Sequence, residues 1–249
     1  MRIAVCLKRV PDTTTKIVVA ADGKSIDEGG VKFVPNPYDE YALEEALKLR
    51  EAAGEGETAV YCLGGDAAQE TIRTALAMGI DRGVLLQGTA GPDGLETARV
   101  LANELKEGGY DLILLGKLAV DDANHQVGPM LAELLEGPCV TSVSHLSVTG
   151  GTLEAEREVE GGVETVTCGL PAVLSVDKGL NTPRLPSLKG IMAAKKKPLE
   201  VKPVAVGAGS VTVLGLSLPQ ERKAGRIVGE GADAVPELVR LLREEAKVI

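Results

Sequence analysis

Residues 116–127 carry the side chains best placed for chemistry: Gly116, Lys117, Ala119, Val120, Asp121, Asp122, Asn124, His125, Gln126 and Val127. The apolar run before them, Leu112-Ile113-Leu114-Leu115, is short and aliphatic enough for a strand buried on both faces. Val127, Met130, Leu131, Leu134 and Leu135 then form the stripe of a helix with one buried face, closed by Gly137-Pro138. Strand, glycine, loop and helix in that order present backbone N–H groups and a positive helix end to a phosphate. The dinucleotide fingerprint GxGxxG and the Walker lysine motif are both missing, so this stretch alone specifies no nucleotide. His125 has no Ser or Cys nucleophile beside it in a recognisable motif, which favours a hydrogen bond within the loop over general-base work. Asp121 and Asp122 are adjacent carboxylates without further spaced ligands, a pattern of caps or solvated groups rather than a metal site. No catalytic residue is expected.

The elements that must position this loop alternate. Residues 3–7, 58–63 and 84–87 read as short aliphatic strands, and 39–53, 66–79 and 94–107 as amphipathic helices, with Asp66 and Gln69 spaced as a capping box. Asn36-Pro37-Tyr38-Asp39 is a turn that can cap the helix after it, and residues 16–20 and 31–34 suggest a hairpin around Asp22-Gly23. Alternating strands and helices predict an α/β fold: a doubly wound, mostly parallel, Rossmann-like sheet covered on both sides. The excursion after the first strand lets that strand sit centrally, with 58–63 and 84–87 to one side and 111–115 to the other. The switch point then lies between strands 3–7 and 111–115, and ligands bind beyond the carboxyl ends of strands at such points. Cys6-Leu7-Lys8-Arg9, residues 36–39, Gly64-Gly65 and residues 116–127 would meet there. From residue 140 the pattern becomes antiparallel, with strands at 143–149, 152–160 and 163–169, then a buried strand at 171–176. Residues 178–197 show no period and read as a long irregular loop, 198–230 as an extended arm, and 235–247 as an amphipathic helix. The expected division is therefore 1–197 for the nucleotide-binding domain and 198–249 for an arm lying on another subunit.

Composition narrows the partners. Aromatic residues make up only 2% of the 249, with no Trp and one Phe, so stacking platforms for bases are nearly absent. The net charge of −9 argues against nucleic acid or anionic lipid. The four cysteines form no CxxC pair and fall in or at the ends of apolar runs, which suggests buried free thiols in a reducing, cytoplasmic setting. No apolar run reaches spanning length.

Taken in order, MRIAVCLKRVPD, NPYDEYALEEAL, QETIRTALAMGIDRG, LLGKLAVDDANHQVGPMLAELL, EREVEGGVETV and NTPRLPSLKGIMAAKKK resemble the β subunit of electron-transfer flavoprotein over nearly the whole chain. The resemblance implies a heterodimer with an α subunit and an FAD between the two. It implies electron shuttling from acyl-CoA and other dehydrogenases of fatty-acid β-oxidation to a membrane-bound quinone oxidoreductase, without insertion in the membrane. It also implies a structural AMP on the segments that hold Cys6, Asn36, Pro37, Tyr38, Asp39, Leu63 and residues 116–127. The family's partner-docking loop falls on 181–197, with its anchor at Leu188 and Arg184, Leu185, Ile191, Met192, Lys195, Lys196 and Lys197 around it. Glu158 stands at the position that steadies the mobile flavin domain. The family's DDDxNQ reads Asp121-Asp122-Ala123-Asn124-His125-Gln126 here; Thr13 replaces an often aromatic residue near the flavin, and Ala193 one lysine of the basic patch.

Two alternatives accompany this reading. An electron-bifurcating form would hold a second FAD in place of AMP and accept electrons from NADH, but Asp122 stands where that form should have glycine. A nucleotide module of the universal-stress type would need neither the loop nor the arm of residues 181–249.

Overall fold

The computed structural model describes residues 1–220 and 224–249; the remainder of the expected 198–230 arm, residues 221–223, lies outside the described residues. The chain begins with β1 (Arg2–Cys6) and makes an excursion containing β2 (Arg9–Pro11) and β3 (Phe33–Pro35). It continues through α1 (Pro37–Ala53), β4 (Glu57–Gly64), α2 (Ala68–Met78), β5 (Arg82–Gln87), α3 (Gly94–Leu105), β6 (Leu112–Gly116) and α4 (Val127–Leu134). Then come β7 (Cys139–Thr149), β8 (Thr152–Val159), β9 (Gly162–Gly169), β10 (Ala172–Val176), α5 (Leu188–Ala194), β11 (Leu199–Pro203) and α6 (Val235–Glu244).

Nine strands form one sheet in the order β11-β5-β4-β1-β6-β10-β7-β8-β9. All neighbours are parallel except in the β7-β8-β9 meander. β1 is central, flanked by β4 and β6 as the lengths of the connections require. Its side chains alternate with the pleat. Ile3 and Val5 join the aliphatic layer under α1 and α2, with Leu43, Leu47, Ile72 and Leu76, while Ala4 and Cys6 join the layer under α3 and α4, with Leu101, Leu105 and Leu131. The doubly wound, mostly parallel expectation holds.

Several local expectations do not. The pair after β1 is β2 with β3; residues 16–20 form no strand, and a single bridge joins Val19 to Ile26. The Asp22-Gly23 turn does form, with the Asp22 carboxylate accepting from the N–H groups of Lys24 and Ser25. Asp66 does not cap α2: its carboxylate accepts from the Gln87 side chain at 2.8 Å, and the helix starts without a side-chain cap. The expected irregular loop contains α5. Residues from 198 open with β11, which extends the sheet in parallel along β5 and ends on Pro203, a residue tolerated at an edge. Cys6 and Cys62 are buried, but Cys139 is exposed at the first position of β7 and Cys168 half-buried on β9, against the expectation of four buried thiols.

Residues Met1–Gly215 form one compact unit and Leu216–Ile249 a second. The second contains α6, and none of its described residues is buried. Among the described residues no helix is long and apolar enough to cross a membrane.

Candidate functional site

The first turn of α1 fastens the switch point. Asp39 is buried, and its carboxylate accepts the N–H of Lys8, just past β1, and the N–H of Gly116, the last residue of β6, each at 2.8 Å. Asn36 is buried beside it and provides no helix cap. Its side-chain amide donates to the Leu118 carbonyl at 2.8 Å and its side-chain oxygen accepts from the Val120 N–H at 3.1 Å. Two polar residues thus hold two strand ends and the loop after β6 against one helix turn. Gly116 permits the closeness, since a Cβ there would lie 2.5 Å from the Cβ of Tyr38 and 2.6 Å from Asp39 Oδ1.

Above this clamp lies a cleft of about 550 Å³. Cys6, Asn36, Asp39, Leu63, Gly116, Lys117, Ala119, Asp121, Asp122, Asn124, His125, Gln126 and Val127 all line it. Pro37, Tyr38 and Val120 do not: Pro37 opens α1, Tyr38 has the Lys117 ammonium 5.3 Å from its ring centroid, and Val120 gives its N–H to Asn36. Sequence reasoning missed the wall formed by Gly91, Pro92, Gly94, Thr97 and Leu101. Its signal was available, because Gly88, the Gly91-Pro92-Asp93-Gly94 turn and α3 repeat the strand–glycine–loop–helix order of 112–134, with Asp93 capping the Leu95 N–H at 2.9 Å.

The polar loop organises its own charges. Lys8 Nζ bridges Asp121 at 2.8 Å and Asp122 at 2.9 Å, so both carboxylates are engaged. Burial acts to lower the Lys8 ammonium's pKa, but these two bonds outweigh it and leave the pKa above the usual lysine value. Lys117 is paired with Asp177 at 2.7 Å. Ala123 and His125 adopt positive φ, 51° and 55°, folding the loop back toward α4. Among the described residues, the N–H groups of His125, Gln126, Val127 and Gly128 have no partner within the protein. Four donors at the positive end of a helix, in a cleft also lined by Cys6, Leu63 and Leu115, suit a ligand with a flat base and one anionic group. Burial raises the Cys6 thiol far above its usual range and Cys62 to about 12, so neither is a ready nucleophile.

Burial also pushes the Asp39 carboxyl up to about 7, against the pull of its N–H donors. The unfolded value is about 3.9. Folding therefore takes up a proton between pH 4 and 7, and this group's contribution to stability is complete below about pH 4 and lost as pH rises to about 7. Urea unfolding of the protein and of Asp39→Asn, repeated from pH 4 to 8, should show the wild type losing on the order of 2–4 kcal/mol relative to the variant as pH rises. Parallel curves would exclude a proton at Asp39.

The residues expected to dock a partner lie outside the cleft. Ser187 caps α5 by accepting the Gly190 N–H at 3.0 Å, and Leu185, Leu188 and Met192 are 91%, 85% and 64% exposed, with Ile191 exposed beside them. Arg184 is committed elsewhere: its guanidinium forks onto Glu44 and Glu51 of α1. Lys197 caps the end of α2, donating to the carbonyls of Leu76 at 3.0 Å and Ile80 at 2.6 Å. Lys195 and Lys196 remain exposed. Glu158 is exposed on β8, also away from the cleft.

The family model described as "Electron transfer flavoprotein domain" matches residues 24–206. The chain is 44% identical to the electron transfer flavoprotein subunit beta of Bacillus subtilis and 42% identical to that of Bradyrhizobium diazoefficiens, in both cases over the full length of each protein. It is 41% identical to the human subunit of the same name, over 98% of each chain. The chain belongs to the electron transfer flavoprotein β-subunit family. Membership sets aside the universal-stress reading, and the matched region includes the loop after β6, the clamp of α1 and the whole of α5.

Proposed function

We propose that this chain is the β subunit of a heterodimeric electron transfer flavoprotein, a soluble cytoplasmic carrier that takes electrons from acyl-CoA and other flavin dehydrogenases and delivers them to a quinone oxidoreductase. The observation that carries the nucleotide part of this reading is the cleft at the switch point, with the free N–H groups of residues 125–128 at the head of α4. AMP fits that donor set: the N–H groups suit one phosphate, and Cys6, Leu63 and Leu115 offer an apolar wall for the base. Lys8 is held by Asp121 and Asp122 and Lys117 by Asp177, so neither ammonium is free to neutralise a longer phosphate chain.

FAD, bound between the subunits, supplies the redox chemistry. This chain performs no bond making or breaking of its own. Its part is to hold the nucleotide loop, to give the α subunit a surface and to present α5 to donors. None of the described residues of the unit Leu216–Ile249 is buried, and α6 carries Val235 and Leu238 exposed, as a segment completed by the α subunit should. Glu158 on the exposed meander contacts the flavin domain in this arrangement.

The test is to express the chain with its α partner, denature the purified complex and identify the released nucleotides while counting subunits. One FAD and one AMP per pair of chains is the expected result. Two FAD without AMP would replace this reading with the bifurcating form, and a lone chain without flavin would end it.

A further inference from the structure

A seven-residue helix such as α5 is too short to persist in water, and three of its residues, Leu188, Ile191 and Met192, point to solvent. Something must hold it. The opposite face, Gly190 and Ala194 at i, i+4, lies on α2: Ala194 is buried, and a Cβ at Gly190 would collide with the Ala77 carbonyl oxygen. Arg73, on α2, donates from one nitrogen to the carbonyls of Ala194 at 2.6 Å and Lys197 at 2.8 Å, at and just past the C-terminal end of α5, where the turn's own bond to Ala194, from the Lys197 N–H, is a long 3.3 Å. Lys197 returns the favour to α2 at Leu76 and Ile80. Each helix therefore caps the other.

We propose that Arg73 is a positioning residue for partner docking: by capping α5 onto α2 it pre-forms the apolar face of Leu188, Ile191 and Met192 for the dehydrogenase. The inference rests on the docking role given to α5 above, and changes its physics. The knob is presented by a braced helix rather than by a mobile loop. A small apolar contact remains weak and quickly reversible, while the ordering that would otherwise accompany each encounter is done in advance. Arg184 on Glu44 and Glu51, with Asn181 donating to the Tyr41 carbonyl at 3.0 Å, fastens the approach to the helix in the same way.

The experiment uses the assembled two-subunit complex as electron acceptor for a purified acyl-CoA dehydrogenase of the same organism. Arg73→Ala should raise the KM for the complex about tenfold while kcat stays within about twofold. Flavin content and direct reduction by dithionite should not change. Both of Arg73's bonds leave from a single nitrogen, so an ammonium can replace them and Arg73→Lys should restore most of the KM. Gly190→Ala, which pushes α5 off α2 without touching Arg73, should raise KM in the same way and serves where Arg73→Ala yields no soluble complex. Leu188→Ala run beside them separates the two claims. If Leu188→Ala raises KM and Arg73→Ala does not, or if Arg73→Lys behaves like Arg73→Ala, the brace is wrong and docking stands. If Leu188→Ala leaves KM unchanged, the docking role fails and takes this inference with it.

Discussion

A Gly116→Ala protein is expected to lose about 3–4 kcal/mol of folding stability and most of its bound nucleotide. The added methyl would meet the Cβ of Tyr38 at 2.5 Å, Asp39 Oδ1 at 2.6 Å and the Tyr38 carbonyl carbon at 2.8 Å. All three atoms belong to the first turn of α1, which is itself held by Asn36 to the loop after β6 and by Asp39 to Lys8, so no freely moving side-chain end is available to shift aside. Either α1 or the end of β6 must shift. A shift lengthens the Asp39–Gly116 bond, leaving a buried N–H without its acceptor, and unmaking such a bond costs about 1–3 kcal/mol beyond the overpacking. At this chain length the loss corresponds to a Tm lower by about 10 °C. Gly162→Ala, where the new atom has nothing within 4 Å, is the control and should stay within about 0.5 kcal/mol. Thermal unfolding and nucleotide release of both variants check the claim. Equal losses would reduce it to a general effect of replacing glycine.

The same residues mark where the sequence could be read and where it could not. Residues 112–115 and 3–6 are unbroken aliphatic runs because those strands are covered on both faces, and burial of that kind leaves a mark in composition alone. The order of the central strands followed from the length of the excursion after β1, and with it the place of the cleft. The role of Asp39 left no such mark. Asn-Pro-Tyr-Asp reads as a turn with a cap, but the carboxylate serves an N–H 77 residues away and the Asn36 side chain serves one 84 residues away. Local spacing cannot report an acceptor whose donors are assembled by the sheet.

The helix within residues 178–197 failed to read for a different reason. Periodicity identifies a helix by the face it buries, and α5 buries little beyond Ala194 while exposing its large residues. The partners of its charges were not legible either. Arg184 and Lys197, grouped with the docking cations by position, are spent on Glu44, Glu51 and the end of α2. The pairing of β11 with β5 likewise joins segments far apart in the chain, and a strand closed by proline looks like a linker until its partner edge is known.

Leu188→Ala in the assembled complex should lower kcat/KM for reduction by an acyl-CoA dehydrogenase about 30-fold, the loss expected when a central interface anchor worth about 2 kcal/mol is truncated. Leu188 is 85% exposed at the first position of α5, so its removal from this chain uncovers nothing and stability should change by less than about 0.5 kcal/mol. That separation of binding from folding is what makes the residue informative. Leu185 is 91% exposed but precedes the helix and its Ser187 cap, so it stands apart from the face that Leu188 shares with Ile191 and Met192. Leu185→Ala should therefore cost less than Leu188→Ala although the two side chains are of equal size. The exposed cations act differently. Lys195→Glu with Lys196→Glu should slow association most at low salt, and the difference from wild type should shrink as screening shortens the range of the charges. The Leu188→Ala deficit should persist at every ionic strength, since apolar burial is not screened. A Leu188→Ala deficit that vanished in salt would mean that steering rather than seating had been measured, and an unchanged rate would move the docking surface away from α5 altogether.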